Sequence, residues 1–182
     1  LMLSTIFFDY RFVSGDEKLV GQLDSFLRKT IEDNKIFLNF FAQNATQNPA
    51  PLSFFRGFVL EINGEHKNEF DIKLRGMMQL VDAARVLCLE KHFLEEKNTL
   101  KRYDLLAQAE PQNEVLFQNA AKAYEILIKM RALNALSKND SGRYIDIEGL
   151  SKLDRQILKK AFAPLEQLQK LLRTRFQLDY FN

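Results

Sequence analysis

The chain has 182 residues, of which 46% are hydrophobic and 27% charged, and this length allows one compact domain with a substantial core. Lys and Arg number 26 against 24 Asp and Glu, so the formal charge of +2 is too balanced to indicate nucleic-acid or membrane-surface binding through bulk charge. A single cysteine excludes an intrachain disulfide, and two histidines without metal-ligand partners at helical spacing argue against a zinc enzyme.

Further features of the whole chain bear on location and reactivity. No apolar run is long enough to span a bilayer and no signal peptide is present, so we expect a cytoplasmic protein with no membrane partner. Cys88 falls within a helical pattern, which favours a small buried residue over a nucleophile. The chain opens at Leu1 directly in strand-like sequence, which is typical of a fragment of a longer protein.

The first predicted element is a short strand that ends in a carboxylate. Leu3–Phe8 is apolar and β-prone, and Ser14-Gly15-Asp16 ends the run. Because side chains alternate along a strand, Asp9 and Arg11 would share one face. A carboxylate there could hold Mg²⁺ beside a phosphate. The alternative is an exposed ion pair on an edge strand, which is favoured on these residues alone because such short motifs match by chance.

Helical patterns fill most of the chain from residue 16 onward. Each is an apolar stripe at helical spacing, and most have a capping residue or a proline at one end. In the first half, Asp16 starts one helix, an aromatic helix around Phe37 stops before Pro49, and a stripe from Met77 to Cys88 forms the next helix. In the second half, Asn98-Thr99 caps a shorter helix, and Pro111 precedes a long helix that breaks at Asn139–Gly142. The capping box Ser151–Asp154 opens the final helix, which Pro164 should kink.

One β-hairpin is predicted within this helical chain. Phe58–Ile62 leads into Asn63-Gly64, the dipeptide that best suits a tight turn, and Glu69–Lys73 can supply the returning strand with His66 near the solvated tip. No fixed-period repeat or low-complexity tract occurs. The sequence therefore predicts a mainly α fold, a multi-helix up-down bundle with a short N-terminal strand and a small β-hairpin.

Two arginines fall on stripes that otherwise predict apolar residues. Arg85 and Arg131 each lie three or four residues from apolar neighbours on their helices, and Lys73 and Arg102 add positive charge nearby. A guanidinium on a core-facing stripe is costly unless carboxylates or phosphates meet its five donors. Two interpretations stay open. In the first, the two arginines form an anion-binding site. In the second, their role is structural: each guanidinium either extends to water from the edge of the stripe or pairs with an acid such as Asp71, Asp82 or Glu125.

Several of these segments together resemble a known family. Asp9-x-Arg11-x-Val13-x-Gly15-Asp16 is similar to the end of the catalytic core in bacterial nucleotidyltransferase-like signalling proteins, which are related to PII uridylyltransferase. The rest resembles the helical substrate-binding domain that follows this core, usually downstream of cyclic-nucleotide-binding and CBS modules. The matching segments are Phe54–Phe58, Asp71–Gly76, Ala84–Leu87, Asn98–Arg102, Arg131 and Leu150–Lys159.

The resemblance implies a division of the chain and a chemistry for the parent protein. Residues 1–15 would be the terminal strand of the nucleotidyltransferase core, and residues 16–182 the helical substrate-binding domain. In the full-length protein, carboxylates would hold Mg²⁺, which neutralises the triphosphate and helps activate the attacking hydroxyl. Asp9 would be the third of these carboxylates, both catalytic and metal-binding. The residues implied to face the nucleotide or acceptor are Arg11, Lys73, Arg85, Arg102 and Arg131.

The chain departs from the family in one respect that bears on activity. The first two carboxylates normally follow a Gly-Ser pair, and no Gly-Ser dipeptide occurs here. Asp146-x-Glu148 is the nearest acidic pair, but it lacks a preceding phosphate-binding turn and is interpreted as solvated. We therefore expect this chain to be inactive alone, while its parent could be a Mg²⁺-dependent nucleotidyltransferase.

Two functions of different kinds follow. The first is a non-catalytic module that presents basic residues to a nucleoside triphosphate or to an unknown acceptor, which could be a protein. Its partners would be the nucleotidyltransferase core and the sensory domains of the same polypeptide. The second is a regulatory or scaffold bundle that couples nucleotide-sensing domains to a partner without nucleotidyl transfer. A freestanding small enzyme is a weaker third hypothesis. The phenylalanine-rich stretch from Phe37 to Phe58 leaves a homodimer open, although burial in the core is the commoner use of such residues.

Overall fold

A computed structural model of the chain describes residues 7–49, 51–54 and 57–180. The fold is mainly α, as predicted, with one two-stranded antiparallel sheet. A π-helical segment, Lys73–Met77, leads into the third helix. The elements are α1 Glu17–Asp33, α2 Lys35–Thr46, β1 Phe70–Asp71, α3 Met78–Glu90, α4 Thr99–Ala109, α5 Glu114–Lys138, β2 Tyr144–Ile145, α6 Lys152–Ala161 and α7 Ala163–Arg175.

Side-chain caps fix three of the helix starts, as the sequence predicts. The Asp16 carboxylate accepts from the Lys18 amide at 3.0 Å and begins α1. Asn98 Oδ1 accepts from the Leu100 amide at 3.0 Å and begins α4. Ser151 Oγ accepts from the Asp154 amide at 3.0 Å and begins α6. Each cap satisfies a backbone donor that the first helical turn leaves without a partner.

Helix α3 lies at the centre of the bundle. Its Leu80, Ala84 and Leu87 are fully buried, and the helix packs against α2, α4 and α7. The Tyr103 hydroxyl of α4 donates to the Leu80 carbonyl at 2.6 Å, so a buried polar group is satisfied. Cys88 is also buried, as predicted, and burial raises the pKa of its thiol to about 12. This thiol is therefore a packing group and not a nucleophile.

The predicted hairpin forms only in part, and it is not the regular sheet of the fold. The Glu61 amide donates to the Glu69 carbonyl at 2.9 Å and the Asn68 amide to the Glu61 carbonyl at 2.8 Å, so the two predicted arms meet, but the first arm forms no regular strand. The regular sheet pairs β1 with β2, with Phe70 opposite Ile145 and Asp71 opposite Tyr144. Arg143 beside β2 supports that pairing by donating to Asp71. A turn dipeptide cannot reveal a strand partner more than seventy residues away in sequence.

The predicted N-terminal strand is not found where the structure can be described. Its first part, up to residue 6, lies outside the described residues, and from Phe7 the chain forms a helical turn followed by irregular backbone. Phe8 is buried against Phe37 and Phe41 of α2, which explains why the chain bends inward here. Asp9 and Arg11 consequently do not share a strand face.

Pro164 breaks the last helical pattern where a kink was expected. α6 ends at Ala161 and α7 begins at Ala163, with the proline in the first turn of the new helix. Proline suits that position because it has no N–H to satisfy. Phe162 between the two helices is fully buried and fixes the corner.

The aromatic helix α2 serves mainly the core. Phe41 is almost fully buried and stacks on Phe37 with ring centroids 5.5 Å apart, while Phe40 remains 45% exposed. A homodimer through this segment stays a prediction. No helix within residues 7–49, 51–54 and 57–180 is long and apolar enough to cross a membrane.

Candidate anion-binding site

Two of the arginines singled out in the sequence analysis converge on the same carboxylate. Arg85 lies in the middle of α3, and Arg102 lies in the first turns of α4, just after the Asn98 cap. Arg102 is 3% exposed and the side chain of Arg85 is 12% exposed. We call these two residues the arginine pair. Such buried guanidinium groups require anionic or carbonyl partners.

Asp9 supplies the shared partner of the arginine pair. Arg102 Nη2 donates to Asp9 Oδ1 at 2.8 Å, and Arg85 Nε donates to Oδ2 at 3.0 Å, with Arg85 Nη2 donating to the same oxygen. Burial raises the pKa of Asp9, but hydrogen bonds and charge from Arg85 and then Arg102 outweigh it, so the pKa lies below its ordinary value. Asp9 is therefore ionised at neutral pH, with both oxygens engaged.

A second carboxylate holds Arg85 from the opposite side. Asp82, one turn earlier on α3, accepts from Arg85 Nη1 at 2.9 Å on Oδ1 and from Asn48 Nδ2 at 3.1 Å on Oδ2. It is 4% exposed, and this burial raises its pKa, against the opposing effects of Asn48 and Arg85. Asp82 fixes the direction of the Arg85 guanidinium whatever occupies the Asp9 side.

The loop between α3 and α4 completes the site with a third cation. Lys97 Nζ donates to the Phe8 carbonyl at 3.1 Å and to the Leu94 carbonyl, and it lies 4.3 Å from the centre of the Tyr10 ring. Burial lowers the pKa of Lys97. Arg102 Nε donates to the Glu96 carbonyl at 2.8 Å. Lys97 therefore lies beside the arginine pair without joining its ion pairs with Asp9 and Asp82.

The other candidate cations do not join this site. Arg11 and Lys73 are exposed, the first on the irregular segment after Asp9 and the second on the π-helical turn. Arg131 Nε donates to the Ser141 carbonyl at 3.0 Å and so supports the loop that follows α5. Sequence reasoning missed Lys97 and Asn48, because neither lies on an apolar stripe or in a motif. The roles given to these residues by resemblance stay predictions.

The described residues do not by themselves fit a Mg²⁺ site. Both Asp9 oxygens already accept from guanidinium groups. Within the described part of the chain, no group of three or more His, Cys, Asp or Glu side chains is arranged to hold a metal ion. The metal-ligand role of Asp9 therefore remains a prediction about the full-length protein.

A comparison with protein families shows which family this chain belongs to. Residues 35–176 match the family described as "Putative nucleotidyltransferase substrate binding domain". The chain belongs to this family. Membership implies that the domain works with a nucleotidyltransferase region. The matched range runs from α2 to the end of α7 and contains the arginine pair, while Asp9 precedes it. Comparisons with curated proteins and with solved structures give no match.

Proposed function

We propose that this domain binds the anionic group of a nucleotidyltransferase substrate through the arginine pair and transfers no nucleotide by itself. The observation that carries the proposal is the convergence of two largely buried guanidinium groups on one carboxylate. Guanidinium donors match phosphate oxygens as well as carboxylate oxygens, often with two parallel hydrogen bonds. Asp9 then occupies the position that a substrate phosphate takes.

The architecture supports an exchange between Asp9 and a substrate. The Asp9 side chain is 27% exposed, so its carboxylate can turn toward solvent while Phe8 and Tyr10 keep their contacts with α2 and α1. Arg85 keeps Asp82, and Arg102 keeps the Glu96 carbonyl, when Asp9 is displaced. The donors therefore stay positioned for an incoming anion. Such preorganisation reduces the cost of binding.

The wider setting follows from the resemblance and is part of the proposal. The ligand would be a nucleoside triphosphate or an acceptor, presented to a Mg²⁺-dependent core on the same polypeptide. The parent would be a cytoplasmic bacterial signalling protein with CBS and cyclic-nucleotide-binding modules. Arg11 and Lys73 are exposed and could extend the contact along the substrate, whereas Arg131 is engaged with the Ser141 carbonyl.

A second function is favoured by the same ion pairs. Asp9 links the N-terminal segment to α3 and α4, and Tyr10 adds a hydrogen bond to Asp24 of α1. A clamp of this kind would let the bundle transmit a movement of the preceding segment without binding any substrate. In this scaffold function the arginine pair is purely structural.

Calorimetric titration with ATP and UTP, with and without Mg²⁺ at low ionic strength, distinguishes the two functions. We expect Arg85→Gln to weaken nucleotide binding about tenfold or more, because one guanidinium contact to phosphate is lost. Low ionic strength is needed because salt screens such contacts.

The matched control is Arg143→Gln. It removes a guanidinium that donates to the buried Asp71 at 2.9 Å, away from the arginine pair. Binding by this variant should stay within about twofold of the parent chain, once circular dichroism shows that both variants are folded. Absence of nucleotide binding, or equal losses in both variants, would instead support the scaffold function.

A further inference from the structure

A cleft unconnected with the proposed anion site lies between α1, α2 and the C-terminal ends of α3 and α7. Its volume is about 630 Å³. This size suits a small ligand or a long side chain. Its lining mixes apolar and polar side chains. We call Ile31, Leu38 and Phe176 the apolar wall and Glu32, Glu90 and His92 the polar wall.

The polar wall is acidic. Among the lining residues with described side chains, none is Lys or Arg, while two are glutamates. The Glu32 side chain is 61% exposed, and its Oε1 lies 3.9 Å from His92 Nε2. Glu90 Oε2 accepts from Arg175 Nη1 at 2.9 Å, which orients its carboxylate. Arg175 balances the charge of Glu90, so Glu32 is the carboxylate of this wall that favours a cation over a phosphate or carboxylate ligand.

His92 is held in the polar wall by an unusual backbone. Its φ is 59°, in the left-handed region that few non-glycine residues adopt, and its carbonyl accepts from Arg28 Nη1. His92 Nδ1 is buried and has no hydrogen-bond partner among the described residues. An unsatisfied buried nitrogen carries an energetic cost.

The cleft and the arginine pair use different sides of α3. Arg85 and Glu90 are five residues apart on a helix of 3.6 residues per turn, so they point about 140° away from each other. A cation in the cleft therefore does not compete with an anion at the arginine pair.

We propose that this cleft binds an organic cation, specifically an alkylammonium group carried on a short apolar stem. The ammonium lies beside Glu32, and the stem packs on the wall of Ile31, Leu38 and Phe176. The chemistry is shared by free alkyl amines and by the lysine side chain of an acceptor protein. Binding of either ligand in the cleft is separate from nucleotide binding at the arginine pair and does not depend on it.

Histidine side-chain NMR offers a direct readout, since the chain contains only His66 and His92. The probes are 1,5-diaminopentane for a free amine and Nα-acetyl-lysine amide for a protein side chain. Pentanediol and glutarate serve as neutral and anionic controls of similar length. We expect both ammonium probes to shift the His92 ring signals in a saturable way and to leave His66 unmoved. The tighter of the two probes identifies the source of the ligand.

Charge variants on α1 complete the test. Glu32→Gln should weaken binding of the ammonium probes about tenfold, while Glu17→Gln, an exposed acid at the far end of α1, should change it less than twofold. The proposal is overturned if no probe saturates, if glutarate or pentanediol binds equally well, or if His66 responds in place of His92. It is equally overturned if Glu32→Gln binds like the parent chain.

Discussion

Gly142 shows how one residue fixes the turn that follows the longest helix. Its φ is +65°, and a Cβ at this position would lie 2.1 Å from the Arg131 carbonyl oxygen and 2.8 Å from the Ala135 side chain. No backbone atom can yield that much space, so a side chain here forces the turn away from α5.

Gly142→Ala is therefore expected to lower the free energy of unfolding by about 2–4 kcal/mol. Gly64→Ala is the matched control, since its φ of +79° is similar but nothing lies within 4 Å of the added Cβ. That variant should lose only about 1 kcal/mol. Urea unfolding followed by circular dichroism measures both, and equal losses would show that the close approach of the turn to α5 is not important.

The arginine pair shows what single residues reveal in sequence and what they hide. Arg85 could be singled out because a charge interrupted an apolar stripe, and its partner Asp82 was among the acids expected for it. Asp9 lies 76 residues from Arg85 and 93 from Arg102, so no spacing rule connects them. Arg131 interrupted its stripe in the same way, yet it contacts a loop carbonyl. A charged residue on an apolar stripe can be recognised in the sequence, but the group that it contacts cannot.

At the scale of elements, one buried carboxylate joins α7 to the junction of α4 and α5. Glu110 is 2% exposed and accepts from Arg175 of α7 at 2.7 and 2.6 Å and from Lys91 at 3.1 Å. Burial raises the pKa of Glu110, but hydrogen bonds from Arg175, Asn113 and Lys91 outweigh it and lower the pKa to about 2.

The sign of the pH dependence follows from that shift. Because the folded pKa lies below the ordinary value of 4.5, the ionised Glu110 stabilises the fold above about pH 4.5, and this contribution is lost as the pH falls toward about 2. Glu110→Gln should cost about 3–5 kcal/mol at pH 7, since it leaves Arg175 without its main partner.

Denaturant unfolding at pH 7 and near pH 3 checks this prediction. The stability difference between the parent chain and Glu110→Gln should be smaller at the lower pH, whereas Glu148→Gln, on an exposed turn, should match the parent at both. A difference that is the same at both pH values would contradict the role of this ion pair.

Helix starts were predictable because their causes are local. Asp16, Asn98 and Ser151 cap helices through atoms two or three residues away, so the signal lies within a few letters of sequence. The sheet was not predictable in the same way, because β1 and β2 are far apart in the chain. Pro164 was recognised as an interruption, but whether a proline bends a helix or starts a new one depends on the packing of Phe162.

At the scale of the whole molecule, apolar periodicity predicted a mainly α bundle but not its arrangement. The central position of α3 follows from contacts with helices that precede and follow it in the chain. Bulk charge was equally uninformative about local sites. A formal charge of +2 reveals neither the ion pairs of Arg85 and Arg102 with Asp9 nor the glutamates that line the cleft near Glu32.

Asp9→Asn tests most directly whether the arginine pair is a substrate site that Asp9 occupies. The change keeps the shape of the side chain but removes its charge, so the donors of Arg85 and Arg102 become available. Loss of the charged hydrogen bonds should lower the free energy of unfolding by about 1–3 kcal/mol, which denaturant unfolding measures. Calorimetric titration of the folded variant with ATP and UTP should then give affinities about tenfold higher than those of the parent chain. Unchanged or weaker nucleotide binding by folded Asp9→Asn would contradict the account.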